Sequence, residues 1–155
     1  MLIGLISDTH GLVRPGVHTA LAGVELILHA GDVGGADVLD ELACIAPVRA
    51  VRGNTDPAGA PGLADVLAIV LDGARIHVSH GHEIGSPTPA ALAAAYDADV
   101  IVYGHTHRHD VTRVEGTLVV NPGAAGPRRF DVRPTVGMLT LRKGEADVTI
   151  VPLEP

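Results

Sequence analysis

The chain has 155 residues, with 18 acidic and 11 basic side chains that give a formal charge of −7. This balance argues against nucleic acid or an anionic membrane as a partner, because both attract basic surfaces. The single cysteine, Cys44, excludes an internal disulfide and a thiolate zinc cage, and we expect it to be a buried helix residue.

The first third of the chain alternates predicted strands with predicted helices. Apolar runs at residues 2–6, 24–30 and 47–53 predict buried strands. Residues 15–22 and 36–45 have apolar side chains at helical spacing. This β-α-β-α-β order predicts parallel strands joined by right-handed crossovers.

The rest of the chain predicts mainly antiparallel pairing. A Gly/Pro-rich loop covers residues 54–65, and an Asp-Gly turn signal lies inside a hairpin over 66–80. Thr88 is a candidate N-cap for a helix over 87–98. A further strand and two hairpins follow at 99–104, 111–120 and 135–151.

The chain shows no repeat, low-complexity tract or linker, so we expect one mixed α/β domain with two packed sheets. No apolar run approaches the ~20 residues of a membrane-spanning helix. The short N-terminal run lacks the basic start and length of a secretory leader. A cytoplasmic protein without a membrane partner is the expectation.

Five polar clusters each follow a predicted strand. They read SDTHG, GDV, RGNTD, HGHE and GHTH, and they contain Asp8, His10, Asp32, Asn54, His80, His82, His105 and His107. In open α/β sheets the carboxyl ends of the strands form the edge where ligands bind. Each cluster alone is a weak signal, because an Asp after a strand commonly caps a helix or forms a turn.

The set as a whole predicts metals. Several carboxylates, imidazoles and an amide, with no matching group of Lys or Arg, would be hard to desolvate together unless cations were bound. Ligands of this kind favour Mn²⁺, Fe, Zn²⁺ or Ni²⁺ over Ca²⁺ or a structural zinc. Two ions sharing a carboxylate suit phosphoryl-ester hydrolysis and would make the edge locally positive.

In order, the motifs D-x-H, GD, GN-x-D, HGH, GHTH and NPG run from Asp8 to Gly123. This ordered set resembles the calcineurin-like metallophosphoesterase superfamily, and most of all its small, cap-less bacterial and archaeal phosphodiesterases, whose fold is shared with a retromer subunit. The resemblance covers essentially the whole chain. It implies a single domain over residues 1–155 with an α/β fold, a four-layer α/β/β/α sandwich of two mixed sheets flanked by helices.

The resemblance implies two divalent metal ions, with manganese expected and nickel, zinc or iron as alternatives. One ion would be held by Asp8, His10, Asp32 and His107. The other would be held by Asp32, Asn54, His80 and His105, so that Asp32 bridges the pair. Asn54 would also contact a phosphate oxygen.

The implied activity is hydrolysis of small phosphodiesters by a metal-bridging hydroxide in an open, shallow site. A phosphomonoesterase of broad specificity and a non-catalytic metal-binding scaffold are the alternatives. A nuclease is disfavoured because the chain is acidic and has almost no aromatic residues for base stacking. Edge strands would allow a homo-oligomer without requiring one.

One position departs from many phosphatases of the superfamily, which carry a histidine directly after the Asn of GN, where it helps to protonate the leaving group. Here that residue is Thr55, which favours the phosphodiesterase branch. We hypothesise that His82 supplies the proton or contacts the phosphate instead. The alternative is a histidine at the rim of the site.

The other histidines have simpler interpretations. His29 either orients a metal ligand or packs at the end of its strand. His18 and His77 are expected to be exposed, on a helix and a strand. On a continuing strand His105, His107 and His109 would face the same way, but His109 lies beyond the motif and is expected to face solvent.

Three further features lie near the motifs. Asp56 is expected to support the Asn54 loop, and Asn121–Gly123 to form a turn against the site. Arg128 and Arg129 either meet an anionic tail of the substrate or belong to a solvated loop.

Overall fold

Two β-sheets form the centre of the molecule in a computed structural model that describes residues 1–129 and 131–153. In chain order the elements are β1 (Leu2–Ile6), α1 (Pro15–Ala20), β2 (Leu26–His29), α2 (Ala36–Ala43), β3 (Val48–Val51), β4 (Leu63–Ala64), β5 (Leu67–Leu71), β6 (Ala74–Val78), a 3₁₀ turn (His82–Ile84), α3 (Pro89–Ala95), β7 (Val100–Val102), β8 (Asp110–Val114), β9 (Thr117–Asn121), β10 (Thr135–Arg142) and β11 (Glu145–Pro152).

The first sheet has the strand order β11-β10-β1-β2-β3-β4. Its strands β1 to β4 are parallel, as the alternating first third predicts, and β10 joins antiparallel to β1. The second sheet has the order β5-β6-β7-β9-β8. There β6, β7 and β9 are parallel, while β5 and β8 are antiparallel edge strands.

Apolar side chains on the facing sides of the two sheets form the central core. Ile3, Leu5 and Leu28 of the first sheet belong to the same buried cluster as Ile76 and Val102 of the second. Burying a side chain of this size stabilises the fold by roughly 1.5–3 kcal/mol. A core of Val, Leu and Ile therefore holds the sheets together with few aromatic residues.

The helices cover the outer faces of the sheets. Val17 of α1 and Leu42 of α2 pack with Ile27 on the outer face of the first sheet. Leu92 of α3 packs with Ile101 on the outer face of the second. The predicted four-layer α/β/β/α sandwich of two mixed sheets is confirmed.

The prediction of mainly antiparallel pairing after residue 54 is only half right for the second sheet. The hairpins predicted over 66–80 and 111–120 are present as the antiparallel pairs β5–β6 and β8–β9, but the other two pairs are parallel. The crossover through α3 makes β7 parallel to β6, and β9 pairs with β7 while its hairpin partner β8 takes the edge. The predicted loop over 54–65 also contains β4, which pairs with the end of β3. Both differences come from pairing between distant segments, which local patterns do not report.

Two burial predictions are also wrong. Cys44 is exposed. It is the C-cap residue of α2, whose buried side chains are Val38 and Leu42. His77 is buried, because its ring stacks on Tyr96 just after α3, with 3.7 Å between ring centroids. The prediction for His18 is confirmed, since it is exposed and contacts Glu41.

Helix α3 begins as predicted. The Thr88 hydroxyl accepts a hydrogen bond from the Ala91 N–H at 3.2 Å, and Pro89 takes the first helical position. In the described parts of the chain, no helix is both long and apolar enough to cross a membrane.

Candidate metal centre

The five predicted polar clusters meet at one edge of the sandwich. Each follows the carboxyl end of a parallel strand, and the two sheets bring these ends together. The residues are Asp8 and His10 after β1, Asp32 after β2, Asn54 after β3, His80 and His82 after β6, and His105 and His107 after β7. We call this end of the molecule the carboxyl edge.

Asp8 lies at the base of the cluster and is fully buried. Its Oδ2 accepts hydrogen bonds from the Ser7 hydroxyl at 2.6 Å and from the His105 N–H at 3.1 Å. Its Oδ1 lies 3.3 Å from His107 Nε2 and has no hydrogen-bond donor among the described residues. One oxygen is therefore held in place while the other remains available to a ligand.

His80 is also fully buried, and its orientation is set by the backbone. Its Nδ1–H donates to the Ala30 carbonyl at 2.8 Å, so the lone pair of Nε2 points into the cluster. There Nε2 lies 3.3 Å from Asp32 Oδ2 and 3.8 Å from Asp8 Oδ1, without a hydrogen-bond partner in the described chain. A buried nitrogen in this arrangement is suited to a metal ion.

His10 and His107 converge on one side of these carboxylates. Their Nε2 atoms lie 3.4 Å apart. His10 Nε2 is also 3.8 Å from Asp8 Oδ1 and 3.7 Å from Asp32 Oδ2. The predicted set of Asp8, His10, Asp32 and His107 is thus brought together.

Asn54 and His105 lie on the other side. The Asn54 Oδ1 is 3.2 Å from His105 Nδ1, and the rings of His80 and His105 are 5.2 Å apart. His82 is next to them, with its ring centroid 5.3 Å from that of His80 and 6.3 Å from that of His105. Of the second predicted set, Asp32 with His80 and Asn54 with His105 form two close pairs, and the two imidazoles are neighbours with His82 beside them.

The donor atoms fit divalent metal ions. Ligand atoms about 2.1 Å from one ion lie roughly 3.0–3.4 Å apart at octahedral and tetrahedral angles. Two groups of donor atoms are close enough for this. In each group, the ligand atoms all lie within 4.8 Å of one another: one consists of Asp8, His10 and His107, and the other of Asp8, Asp32 and His80. Spacings of this size and buried atoms without partners are the features of a site shaped for cations.

The electrostatics of the buried groups are consistent with this arrangement. Burial alone would raise the pKa of Asp8, but the contact with His107 and the charge of His80 lower it below its usual value. The pKa of Asp32 is lowered too, because the interactions with His80 and the Thr55 N–H outweigh burial. Burial opposes protonation of His80, yet the two carboxylates raise its pKa. Metal binding would displace the proton from that nitrogen.

The histidines nearer to solvent behave differently. Burial lowers the pKa of His10, against the pull of Asp32 and Asp8 and with a contribution from the positive charge of Arg129. Burial and the charge of His80 lower the pKa of His82. Both imidazoles therefore have lone pairs available near neutral pH.

The backbone at the carboxyl edge is strained. Asp8, His10, Asp32, His105 and His107 all have positive φ angles, between 45° and 72°. A left-handed conformation costs a residue other than glycine about 1–2 kcal/mol. Outside the site, non-glycine residues with positive φ include the hairpin-turn residues Asp72, Glu115 and Lys143. Asp131, in the long connection between β9 and β10, is a further residue of this kind. What distinguishes the carboxyl edge is that five such residues lie together there, all of them predicted metal ligands.

The loop 103–109 shows how this is achieved. Strand β7 ends at Val102, so the alternation expected of a continuing strand does not apply. A Cβ atom at Gly104 would overlap the Ser7 hydroxyl and the Asp8 carboxylate, which explains the glycine. Asn121 donates to the Gly104 carbonyl at 3.1 Å and to the Thr106 hydroxyl at 2.9 Å. His109 is exposed, as predicted.

Asp56 supports two neighbouring loops. Its Oδ2 accepts from the Gly53 N–H at 2.9 Å and the Val33 N–H at 3.0 Å, and its Oδ1 from the Gly34 N–H at 3.1 Å. The predicted supporting role is confirmed. Through these bonds one carboxylate joins the loop of Asn54 to the loop of Asp32.

His29 is a packed histidine at the end of its strand and supports the site from below. Its Nδ1 accepts from the Gly31 N–H at 3.1 Å, and Nε2 lies 2.9 Å from the Thr9 hydroxyl, which donates to the Val33 carbonyl at 2.8 Å. This series of hydrogen bonds requires a neutral His29 ring with its proton on Nε2. Burial accordingly lowers the pKa of His29 to about 4.

Sequence reasoning missed several supporting residues. Ser7 and Thr9 flank Asp8, and their position in the first motif was the available signal. Glu83 accepts from the Gly81 N–H at 2.9 Å and from the Tyr96 hydroxyl at 2.7 Å, which holds the loop that carries His82. Nothing in the local sequence connects Glu83 with Tyr96.

The sequence profile of the calcineurin-like phosphoesterase superfamily domain matches residues 1–144. The chain belongs to the calcineurin-like phosphoesterase superfamily. A probable metallophosphoesterase of Methanothermobacter thermautotrophicus is 34% identical over 97% of this chain and 92% of its own length. The predicted family resemblance is therefore confirmed.

Solved structures of two kinds resemble the calcineurin-like fold of this chain. Vps29 of Entamoeba histolytica, solved in complex with Zn²⁺, superposes with a TM-score of 0.82 at 24% identity, over 98% of this chain and 99% of that one. An archaeal phosphodiesterase superposes with a TM-score of 0.76 at 27% identity, over 97% of this chain and 100% of that one. The same fold thus occurs in proteins of different names, so function must be argued from the site.

Proposed function

We propose that the protein is a phosphodiesterase that uses two divalent metal ions and acts on small phosphodiesters. The observation that carries this proposal is the buried pair Asp8 Oδ1 and His80 Nε2, which lie 3.8 Å apart without hydrogen-bond partners among the described residues. Such atoms are costly to bury unless a cation satisfies them. Membership of the phosphoesterase superfamily supports the same conclusion.

In this proposal Asp8, His10, Asp32 and His107 hold one ion, and Asp32, Asn54, His80 and His105 hold the other. Manganese is our first choice, with nickel, zinc or iron as alternatives. When bound, two such ions would lower the pKa of a coordinated water and neutralise charge on the phosphate oxygens. The positively charged edge would attract an anionic substrate to a protein that is acidic as a whole.

The chain's own side chains perform the remaining tasks. Asn54 is exposed at the mouth of the site, so its amide N–H₂ can donate to a phosphate oxygen while Oδ1 faces the His105 side. His82 is partly exposed beside the second set, and we assign it contact with the phosphate or proton donation to the departing alkoxide. Its lowered pKa makes the ring neutral near pH 7, which favours the contact through its N–H, and proton donation would need the protonated ring at lower pH. Thr55 occupies the position where many relatives in the superfamily have histidine, and it cannot donate a proton near neutral pH, which favours diesters over poorly activated monoesters.

The second candidate is a non-catalytic metal-binding scaffold, since Vps29 has this fold and was solved in complex with Zn²⁺, and fold alone does not determine function. Against it stands the complete donor set, since none of the predicted ligand positions has lost its ligating residue. A scaffold would have no need to keep strained backbone under five of these residues. Turnover separates the two candidates.

The deciding experiment measures hydrolysis of bis(4-nitrophenyl) phosphate and of 4-nitrophenyl phosphate by chelator-stripped protein, before and after addition of Mn²⁺, Ni²⁺ or Zn²⁺. Turnover that the metal restores and that favours the diester supports the proposal. A preference for the monoester would retain the metals but make the protein a phosphatase. No turnover by protein that circular dichroism shows to be folded would favour the scaffold.

A further inference from the structure

Four arginines lie beside the metal centre, on the side of His107. Arg14 directly precedes α1, and Arg128, Arg129 and Arg133 lie on the connection between β9 and β10. Arg14 is partly buried and the other three are exposed. We call these four residues the arginine rim.

The rim is continuous with the metal centre. A small hollow beside His107 is bounded by Arg128, Arg129 and Pro134. Arg128 and Pro134 also bound a groove of about 400 Å³, whose other walls include Arg14 and Arg133. A substrate that places its phosphate at the metal centre can therefore extend one arm along the arginines.

Arginines elsewhere in the chain are of two kinds. Arg49, Arg108 and Arg142, like the rim, form no ion pair among the described residues, and the grouping of the rim around two adjoining hollows is what distinguishes it from them. The other three have carboxylate partners. Arg52 pairs with Asp65 at 3.2 Å, Arg75 with Asp99 at 3.3 Å, and Arg113 with Asp147 at 3.6 Å.

Within residues 1–129 and 131–153, no carboxylate forms an ion pair with a member of the rim. Arg14 donates to the Gly126 carbonyl at 2.9 Å, Arg128 to the Asp131 carbonyl at 3.3 Å and Arg133 to the Leu153 carbonyl at 3.4 Å. Each guanidinium has five N–H donors, so these single bonds orient the group and leave most donors for a ligand. Four guanidinium groups around two adjoining hollows make this surface locally positive in a chain of net charge −7, and such a field attracts anions.

We propose that the arginine rim binds an oxyanionic group, a carboxylate or a phosphate, on one arm of the substrate. This inference rests on the proposed function and names its substrate class: phosphodiesters that carry a second negative charge beyond the phosphate that is cleaved. Guanidinium groups match such oxyanions because their paired N–H donors reach two oxygens at once. Exposed pairs are individually weak, so two or three together predict a preference of about tenfold.

The test compares two diesters that differ by one carboxylate, 4-nitrophenyl phenyl phosphate and 4-nitrophenyl 4-carboxyphenyl phosphate. The full-length protein is loaded with Mn²⁺, and the release of 4-nitrophenolate gives kcat/KM for each. We expect the carboxylate to raise kcat/KM about tenfold at low ionic strength, and the preference to shrink at 0.5 M salt as screening increases. Without the rim, the net negative charge of the protein would disfavour the more anionic substrate.

The double variant Arg128→Gln/Arg133→Gln should bring the ratio of the two kcat/KM values down to about one. The matched control is Arg113→Gln/Arg142→Gln, which removes the same charge from the opposite end of the sandwich and should keep the ratio of the wild type. A ratio near one in the wild type, or equal loss of preference in both double variants, would overturn the inference alone. No turnover of either diester would overturn the proposed function, and this inference with it.

Discussion

The two ends of the sandwich carry acidic residues in opposite ways. At the carboxyl edge, Asp8 and Asp32 are buried, and their ion-pair contacts are with imidazoles. At the other end, which we call the amino edge, strands β6 and β7 begin, and Asp97 and Asp99 there are exposed ion-pair partners of Arg75.

The difference between exposed ion pairs and buried carboxylates locates the functional site at the carboxyl edge. Exposed Arg–Asp pairs satisfy their own charges and contribute little to stability. Buried carboxylates need a counter-charge. Without a metal ion, Asp8 and Asp32 favour a proton on His80, and a bound metal ion would supply that charge and displace the proton. The contrast between the two edges predicts effects of four substitutions, from the largest to the smallest.

The largest effect is expected for Asp32→Asn. The amide removes the negative charge that both proposed metal sets share, so metal-restored kcat/KM for an aryl diester should fall at least about 10³-fold. Asp99→Asn at the amino edge is the matched control and should change the rate less than about twofold. If Asp32→Asn kept more than a tenth of the activity, Asp32 would not bridge two ions.

The second effect is a pH dependence of stability from His29. Its pKa is about 4 in the folded protein and about 6.5 in the unfolded chain. Between these values the unfolded chain binds a proton that the folded protein does not. Stability from this residue is therefore fully present above pH 6.5 and decreases as the pH falls toward 4, by about 3 kcal/mol in total.

Urea unfolding of the metal-stripped protein from pH 7.5 to 4 measures this loss. The comparison is with His29→Asn, whose Oδ1 can still accept from the Gly31 N–H but does not titrate. The variant should be less stable at pH 7 and should show a shallower slope below pH 6.5. Parallel curves for the two proteins would mean that His29 does not carry the dependence.

A smaller loss is expected for Asp56→Asn. Asp56 accepts three backbone hydrogen bonds, two through Oδ2 and one through Oδ1. An amide N–H₂ in place of one of these oxygens accepts none, so one or two of the bonds are lost. The free energy of unfolding should fall by about 2 kcal/mol. The loop that carries Asn54 would shift, so we expect roughly tenfold lower kcat/KM. Chemical denaturation and diester turnover check the two effects. A loss of stability with unchanged turnover would separate Asp56 from the site.

The smallest effect is expected at the amino edge. Arg75→Ala should lower Tm by less than about 3 °C and leave metal-restored turnover unchanged, because its pairs with Asp97 and Asp99 are exposed. Thermal unfolding and the same diester assay provide the measurement. A clear loss of activity would show that the two edges communicate, and the contrast between them would fail.

Local sequence patterns determined a large part of this protein. Apolar runs and Gly/Pro punctuation predicted every described strand except β4 and their sequence along the chain, and Thr88 with Pro89 predicted the start of α3. The polar clusters could be assigned to one edge from the sequence because each directly follows a strand, and parallel strands end together. These are properties of short segments, which a sequence reports without knowledge of distant contacts.

Strand neighbours and side-chain burial depend on contacts between residues far apart in the sequence, and only the three-dimensional structure shows these contacts. Strand β9 lies beside β7, and β10 lies beside β1 with Met1 donating to the Leu141 carbonyl across 140 positions of the chain. His77 was predicted to be exposed on its strand, but it is buried because the packing of α3 places Tyr96 against its ring. Likewise, the support of the His82 loop by Glu83 and Tyr96 exists only because α3 ends beside the 3₁₀ turn. In each case the side chain's environment is made by residues far away in sequence, and no local period encodes it.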